Sequence, residues 1–414
     1  MNYLQNKAAL PTDLKQRNRR EILKAFQNSP KEEWTLSEIS DFTGISRATV
    51  AKAIATFVKK DVLRYNGKGN STEIGGKKPD IFSFNSEYQF LAYLNIGIGT
   101  LEMSILDLKL EEKASIHAEI AISSSVEIII KKSQECYQAL LKKSLIPESK
   151  IYGLCISTSG MINQETGVIN CNLSYTYWGN DIPFKAMFEK AYPSLKILVE
   201  NVARAAGRAE LYYNRELKTK KVFTVFTFRG ISGCLIEQGQ IQNSKNSLIG
   251  EIGHMIICPD DTEQCRCGSR GCFENMVSEE RVLKNMNSYP EMKKGSILEN
   301  KENIQLKDIL QAANTGDIYA QKITNQAAWY FAMAFRNIIL TVDPEVIIIQ
   351  GIYASGGTYF LKKIKEYLYN QAYFPKTSDW TFLYDERNIW QLAKTGLAAT
   401  MVNDLFQNRE LYQD

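Results

Sequence analysis

Two hydrophobic periods divide the chain. In the first 65 residues, apolar positions recur at helical spacing. Ile22, Leu23 and Phe26 share one face of a segment from Leu14 to Gln27, and Leu36, Ile39 and Phe42 share a face of a second, entered from a loop at Pro30. Val50, Ile54, Phe57 and Val58 fall at i, i+4, i+7 and i+8, a single buried stripe on a third helix. Gly44 suits the sharp turn before that helix, and Ser46 suits its N-cap. The opposite face carries Arg47, Thr49 and Lys52. Residues 64–85, RYNGKGNSTEIGGKKPDIFSFN, then place strand-like ends around a glycine-rich basic tip containing Lys77 and Lys78.

From Phe90 the pattern changes to strands alternating with helices. FLAYLNIGIGTLEMSILDL reads as two strands around a glycine-containing turn, and ASIHAEIAI as a third. An amphipathic helix over Val126–Leu145 precedes the strands KIYGLCIS and LKILVEN and the helix VARAAGRAELYYN. The order repeats loosely: a strand pair in KVFTVFTFRGISGCLIEQGQI, a long helical region over about 303–340, the strand EVIIIQG and another helix. Two similar α/β lobes predict a duplicated fold with a cleft between its halves. The expected division is residues 1–85 for the helical module, 86–200 for the first lobe and 201–390 for the second. The closing helix, 391–414, is expected to pack back on the first lobe.

Composition narrows the function. With 44% hydrophobic and 23% charged residues among 414, the chain reads as an ordinary globular protein. Its apolar runs fall short of the roughly 18–20 residues of a membrane span, and MNYLQNKAALPTDLKQRNRR lacks an apolar signal core. A cytoplasmic location without membrane association is therefore expected. Residues 1–80 hold 15 Lys/Arg against 9 Asp/Glu, while the whole chain has a net charge of only +4. A basic front on a near-neutral body hints at nucleic acid. Two helices, a tight turn and a polar second-helix N-terminus form a helix-turn-helix pattern, and the basic hairpin after it reads as a wing. Arg47 suits a guanine edge or a phosphate, Thr49 a phosphate or thymine methyl, and Lys52, Lys77 and Lys78 phosphates. Ser46 begins the same surface.

Five of the eight cysteines (Cys136, Cys155, Cys171, Cys234 and Cys258) lie scattered among apolar residues and read as buried reduced thiols. The other three crowd into GEIGHMIICPDDTEQCRCGSRGCFE, as Cys265, Cys267 and Cys272, with Gly268 and Gly271 letting the loop fold so that the sulfurs converge. A structural zinc wants four N/S donors, and His254 is the obvious fourth. The only other histidine, His117, falls in a strand of the first lobe and reads as a solvated strand residue.

Here the chain resembles the ROK family of repressors and sugar kinases. Glu251, Gly253, His254, Cys265, Cys267, Gly268, Gly271, Cys272 and Glu274 are similar to the family's E-x-G-H and C-x-C-G-x-x-G-C-x-E stretch. The front segment, NRREILKAF through GGKKP, resembles the winged helix-turn-helix of its repressor branch. The resemblance implies a two-lobed actin/hexokinase-like (ribonuclease H-like) body. It also implies a zinc-bound His254 that faces a sugar, with Glu251, Glu274 and Asn201 binding hydroxyls and Gly160 and Asn172 on the opposite wall.

Against the family's kinases, three features of phosphotransfer are altered. The expected Asn-Asp pair reads Asn201-Val202, and valine cannot accept a proton. The D-x-G-G-T phosphate loop reads Asn95-Ile96-Gly97-Ile98-Gly99-Thr100, and the Gly-Gly near the C-terminus reads Gln350-Gly351. The expectation is a non-enzymatic, sugar-responsive repressor, a homodimer or homotetramer on operator DNA, whose effector the sequence leaves open among xylose, glucose, an amino sugar and a phosphosugar. Two alternatives stand beside it: an active sugar kinase with a DNA-binding arm, and a regulator governed by a protein partner.

Overall fold

Capping residues set the start of both helices that frame the front turn. The computed structural model describes residues 11–28, 31–69, 78–243, 245–370 and 380–413. Its first module runs α1 (Pro11–Asn28), β1 (Glu33–Thr35), α2 (Leu36–Thr43), α3 (Arg47–Lys59), β2 (Leu63–Lys68) and β3 (Asp80–Phe84). Thr35 and Glu38 form a reciprocal capping box at α2, and Ser46 caps α3. The predicted stripe is buried at Val50, Ile54 and Phe57. Phe42 departs from its predicted core face: it is 65% exposed and lies edge-on to the buried Trp34 ring. The strands pair antiparallel in the order β1-β3-β2.

The first lobe continues with β4 (Phe90–Gly97), β5 (Thr100–Asp107), β6 (Glu112–Glu119), α4 (Val126–Ser144), β7 (Ile151–Thr158), the short pair β8 (Met161–Ile162) and β9 (Ile169–Cys171), α5 (Phe184–Ala191), β10 (Lys196–Asn201) and α6 (Val202–Tyr213). Its five-stranded sheet has the order β10-β7-β4-β5-β6, with the β4–β5–β6 meander antiparallel and β7 and β10 added in parallel.

The second lobe repeats this plan. β11 (Val222–Thr227), β12 (Ile231–Glu237) and β13 (Gln240–Ile241) form the meander. Four short helices follow the meander: α7 (Phe273–Met276), α8 (Glu279–Met286), α9 (Pro290–Lys293) and α10 (Leu306–Asn314). α11 (Ile318–Val342), β14 (Val346–Gly351), α12 (Gly357–Tyr369), β15 (Thr381–Asp385) and α13 (Ile389–Leu405) complete the lobe. The sheet order is β13-β12-β11-β14-β15, with β11, β14 and β15 parallel, so both lobes carry the same three-plus-two arrangement. The long helical region expected over 303–340 is two helices, because Asp317 caps α11 afresh through the Ala320 N–H at 2.8 Å.

Helix α13 packs on α6 and on strands β4 and β7. Leu91, Tyr93, Cys155, Ala205, Leu397 and Met401 share one buried cluster there. Beyond α13 a 3₁₀ turn over Arg409–Tyr412 leaves the body and enters the front module. Leu405, Phe406, Leu411 and Tyr412 belong to the same core as Ile22, Phe26, Ile39, Val50 and Phe57. Among the described residues no helix is long and apolar enough to cross a membrane.

Candidate functional site

The front surface is simple. Arg47 and Lys52 are exposed on α3 and Lys78 on the hairpin, while Lys77 lies outside the described residues. Ser46 and Thr49 share a hydroxyl contact of 2.9 Å, and Ser46 Oγ also accepts from the Thr49 N–H. These two hydroxyls cap the N-terminus of α3, where Arg47 is exposed.

A cleft of about 720 Å³ separates the lobes. Gly160, Asn172, Asn201, Glu251, His254 and Glu274 all line it, so the fold brings together every residue assigned to the sugar by sequence. β10 delivers Asn201 at the point where the chain turns into α6. Its Oδ1 accepts from the Ala203 N–H at 2.9 Å and caps the helix, and its Nδ2 donates to the Gly160 carbonyl at 2.8 Å. Gly160 has φ +108, and a Cβ there would fall 3.0 Å from the Cys171 carbonyl oxygen. Asn172 is buried and holds both Ser159 groups, donating to its carbonyl at 2.9 Å and accepting from its hydroxyl at 3.1 Å. The two asparagines are therefore fixed before any ligand arrives.

Glu251 and His254 come from the 3₁₀ turn that follows Gly250, and Glu274 from α7. Burial lifts the Glu251 carboxyl above its ordinary range. Glu274 Oε2 accepts from the Ile231 N–H at 3.2 Å, while Oε1 lies 3.8 Å from His254 Nδ1.

Behind this wall sit His254, Cys265, Cys267 and Cys272, whose donor atoms all lie within 4.8 Å of one another. His254 Nδ1 is 3.7 Å from Cys265 Sγ, and Cys267 Sγ is 3.6 Å from Cys272 Sγ. A tetrahedron with metal–sulfur arms near 2.3 Å has edges of about 3.8 Å, so these spacings match a metal-binding geometry. The loop can close because Gly271 has φ +70, and a Cβ there would lie 1.9 Å from the Cys258 carbonyl oxygen. Burial pushes the Cys265 and Cys272 thiols up. For Cys267 burial acts the same way but is outweighed by hydrogen bonds to the Ser269 backbone and the neighbouring thiols, leaving it below its ordinary value.

The three altered positions are ordered and occupied. Asn95 Oδ1 accepts from Ser157 Oγ at 2.9 Å. Val202 packs with Trp390 against the cluster of Ala203, Ala206, Phe226 and Ile389. Gln350 is fully buried and donates to Glu210 at 2.8 Å.

Several residues in and beside the cleft escape the sequence reading. His117 is exposed on β6 as expected, yet it also lines the cleft, so both histidines face it. Phe228 and Trp390 meet edge-to-face with ring centroids 5.1 Å apart, though 162 positions separate them in the chain. Arg204 and Arg208 hold the buried Glu200 at 3.3 and 3.1 Å beside Asn201. Only the short spacing between Glu200, Arg204 and Arg208 could have signalled that last group in advance.

Residues 93–379 match the ROK family, and residues 21–67 match the IclR helix-turn-helix domain. The xylose repressor of Bacillus spizizenii is 23% identical over 368 residues, covering 87% of this chain and 89% of that protein. A glucokinase of Halalkalibacterium halodurans is 26% identical over 237 residues, covering 56% of this chain and 70% of the other. Among solved structures, a ROK family transcriptional regulator, described as a homologue of the E. coli MLC protein, superposes with a TM-score of 0.76 at 18% identity, covering 97% of this chain and all of that one.

Proposed function

The chain belongs to the ROK family, and from that premise we propose that it is a sugar-responsive DNA-binding repressor of carbohydrate-utilisation genes whose body binds a sugar without phosphorylating it. Its relatives include proteins named as xylose repressors, one of them matched along most of both chains. A pentose or hexose effector fits that likeness, and a cytoplasmic, membrane-free location fits a protein that reads DNA.

In this reading Arg47 and Thr49 read or clamp operator DNA, with Lys52, Lys77 and Lys78 on phosphates and Ser46 fixing the helix start. Glu251, Glu274 and Asn201 accept or donate to vicinal hydroxyls, where carboxylates make charge-assisted bonds. His254, Cys265, Cys267 and Cys272 would hold zinc, which supplies a structural brace and fixes the imidazole tautomer. Nδ1 is the nitrogen on the cysteine side, so Nε2 is left to meet the ligand.

The observation that carries the regulatory reading is a continuous set of contacts from the cleft to the DNA module. Asn201 caps α6, and α6 crosses α13 so closely that a Cβ on Gly396 would fall 2.0 Å from the Ala205 carbonyl oxygen. The end of α13 then supplies core to the helix-turn-helix. Sugar that binds one arrangement of the lobes more tightly than another would shift α13, and with it the pose of α3. In a homodimer two such helices would meet half-sites about 34 Å apart.

The absence of kinase activity is supported by Val202. It stands where the family's kinases carry the acid that takes the sugar proton, and loss of such a base costs about 10²–10⁴ in rate. The test is operator binding measured with and without a panel of sugars, alongside a coupled ATP-turnover assay. Sugar-dependent release from DNA without turnover is expected. Turnover would return the kinase reading, and operator binding indifferent to every sugar would favour control by a protein partner.

A further inference from the structure

The cleft is larger than its polar cluster. At about 720 Å³ it lies in the upper part of the range that encloses whole drug-sized ligands, and a single pyranose would fill only a fraction of it. The remaining space has a definite character. Phe228 is 45% exposed although it sits in the cleft wall, and its ring stands edge-on to Trp390.

This aromatic pair adjoins the polar cluster on both sides. The Phe228 N–H donates to the Gly230 carbonyl, and the next residue along, Ile231, donates its N–H to Glu274. Trp390 and Val202, the residue after Asn201, pack against the same apolar cluster. The aromatic surface therefore adjoins the hydroxyl-binding groups, next to Val202. Nucleotide chemistry is disfavoured there, because Asn95 and Ile98 replace the acid and the glycine of the phosphate loop.

Polar groups of the first lobe are linked to the helix that carries Trp390. One helical turn after Trp390, Lys394 bonds Glu102 at 3.0 Å, and Glu102 pairs across the sheet with His117. His117 and Glu119, two positions apart on β6 and so on one face of it, both line the cleft. An aromatic pair in the same cleft as an imidazole and a carboxylate suits a ring with an apolar C–H face and hydroxylated edges.

We infer that Phe228 and Trp390 form a second sugar subsite, with His117 and Glu119 as its hydroxyl-binding rim, and that the effector is a disaccharide or longer glycoside rather than a free monosaccharide. The inference rests on the carbohydrate reading of the cleft given above. The inner ring is held by Asn201, Glu251, His254 and Glu274, and the outer ring stacks on the aromatic pair.

Calorimetry on the full-length protein tests it, using xylose, glucose, xylobiose, cellobiose, maltose and the corresponding phenyl glycosides. At least one disaccharide should bind about tenfold more tightly than its own monosaccharide, the scale of one added aromatic contact. Phe228→Ala and Trp390→Ala should each remove that gain and leave monosaccharide binding in place, and Trp390→Phe should retain most of it. Monosaccharides binding as tightly as disaccharides, with no effect of Phe228→Ala, would overturn the second subsite and leave the sugar-sensor reading intact. Phenyl glycosides exceeding every disaccharide would overturn the assignment of a hydroxylated outer ring. No binding of any carbohydrate would overturn both readings.

Discussion

Arg19 Nη1 donates to the carbonyl oxygen of Tyr412 at 2.7 Å, a buried hydrogen bond between residues 393 positions apart. The Tyr412 ring stands edge-on to Phe57 of α3, with the Arg20 guanidinium 5.5 Å from its centroid. Lys60, just past α3, donates to the Glu410 carbonyl at 2.7 Å. The front module is thus completed by the far end of the chain.

Tyr412→Ala should cost about 3–5 kcal/mol, the range for a buried aromatic lost from a core. Urea unfolding should show that loss in the front module first, and operator binding should fall with it. The sugar cleft should keep its affinity, since Tyr412 lies outside it.

Arg47→Ala should weaken operator binding by about 1–3 kcal/mol and reduce discrimination at one base pair if the side chain reads guanine. A uniform loss with a shallower salt dependence would assign it to phosphate instead. Binding measured at several salt concentrations separates the two, and sugar affinity should not change.

Cys265→Ser should abolish metal binding, read by elemental analysis of the purified protein, and should lower thermal stability. Removing metal from the unaltered protein with a chelator should do the same, because a structural metal contributes its binding free energy to folding. Sugar affinity should fall in both cases, since the His254 ring would lose its anchor. Full metal content in the variant would contradict the ligand set.

Glu210 gives a pH dependence. Burial and the neighbouring Asp385 push its carboxyl up to about 7, while Arg387 holds Asp385 below its ordinary value against the effect of burial. The native state thus keeps on Glu210 a proton that the unfolded chain releases near pH 4.5. Stability from this group is full below that pH and is lost as the pH rises towards about 7. Glu210→Gln needs no such proton, so denaturation midpoints across that interval should flatten. An unchanged slope would place the titration elsewhere.

Much of this architecture was legible in local sequence. The stripe Val50–Ile54–Phe57 and the caps at Ser46 and Thr35 are short-range signals that the folded protein uses directly. The cysteine loop was legible for the same reason, because three of its four donors lie within eight positions. Helix α13 packs on α6 and on strands β4 and β7, and its extension into the front module carries no local signal. Leu411 and Tyr412 carry no periodicity that names a partner nearly four hundred residues away. The Phe228–Trp390 pair was missed because no spacing rule connects a β-turn to the start of a distant helix. Phe42 was misplaced because helical period assigns a face without telling how far that face is covered, and Trp34 covers only one edge of it.

The bond between Arg19 and Tyr412 also sets an order of assembly. The DNA-reading helices leave the ribosome first, yet the residues that close their core are made 393 positions later. At about 5–20 residues per second the delay is roughly 20–80 s. During that interval the nascent chain exposes an open half-core, and a prematurely terminated product would carry the basic helices without the means to hold them in register. On the proposed function, a chain would gain its closed DNA-binding core only once the body that is to sense the sugar has been synthesised.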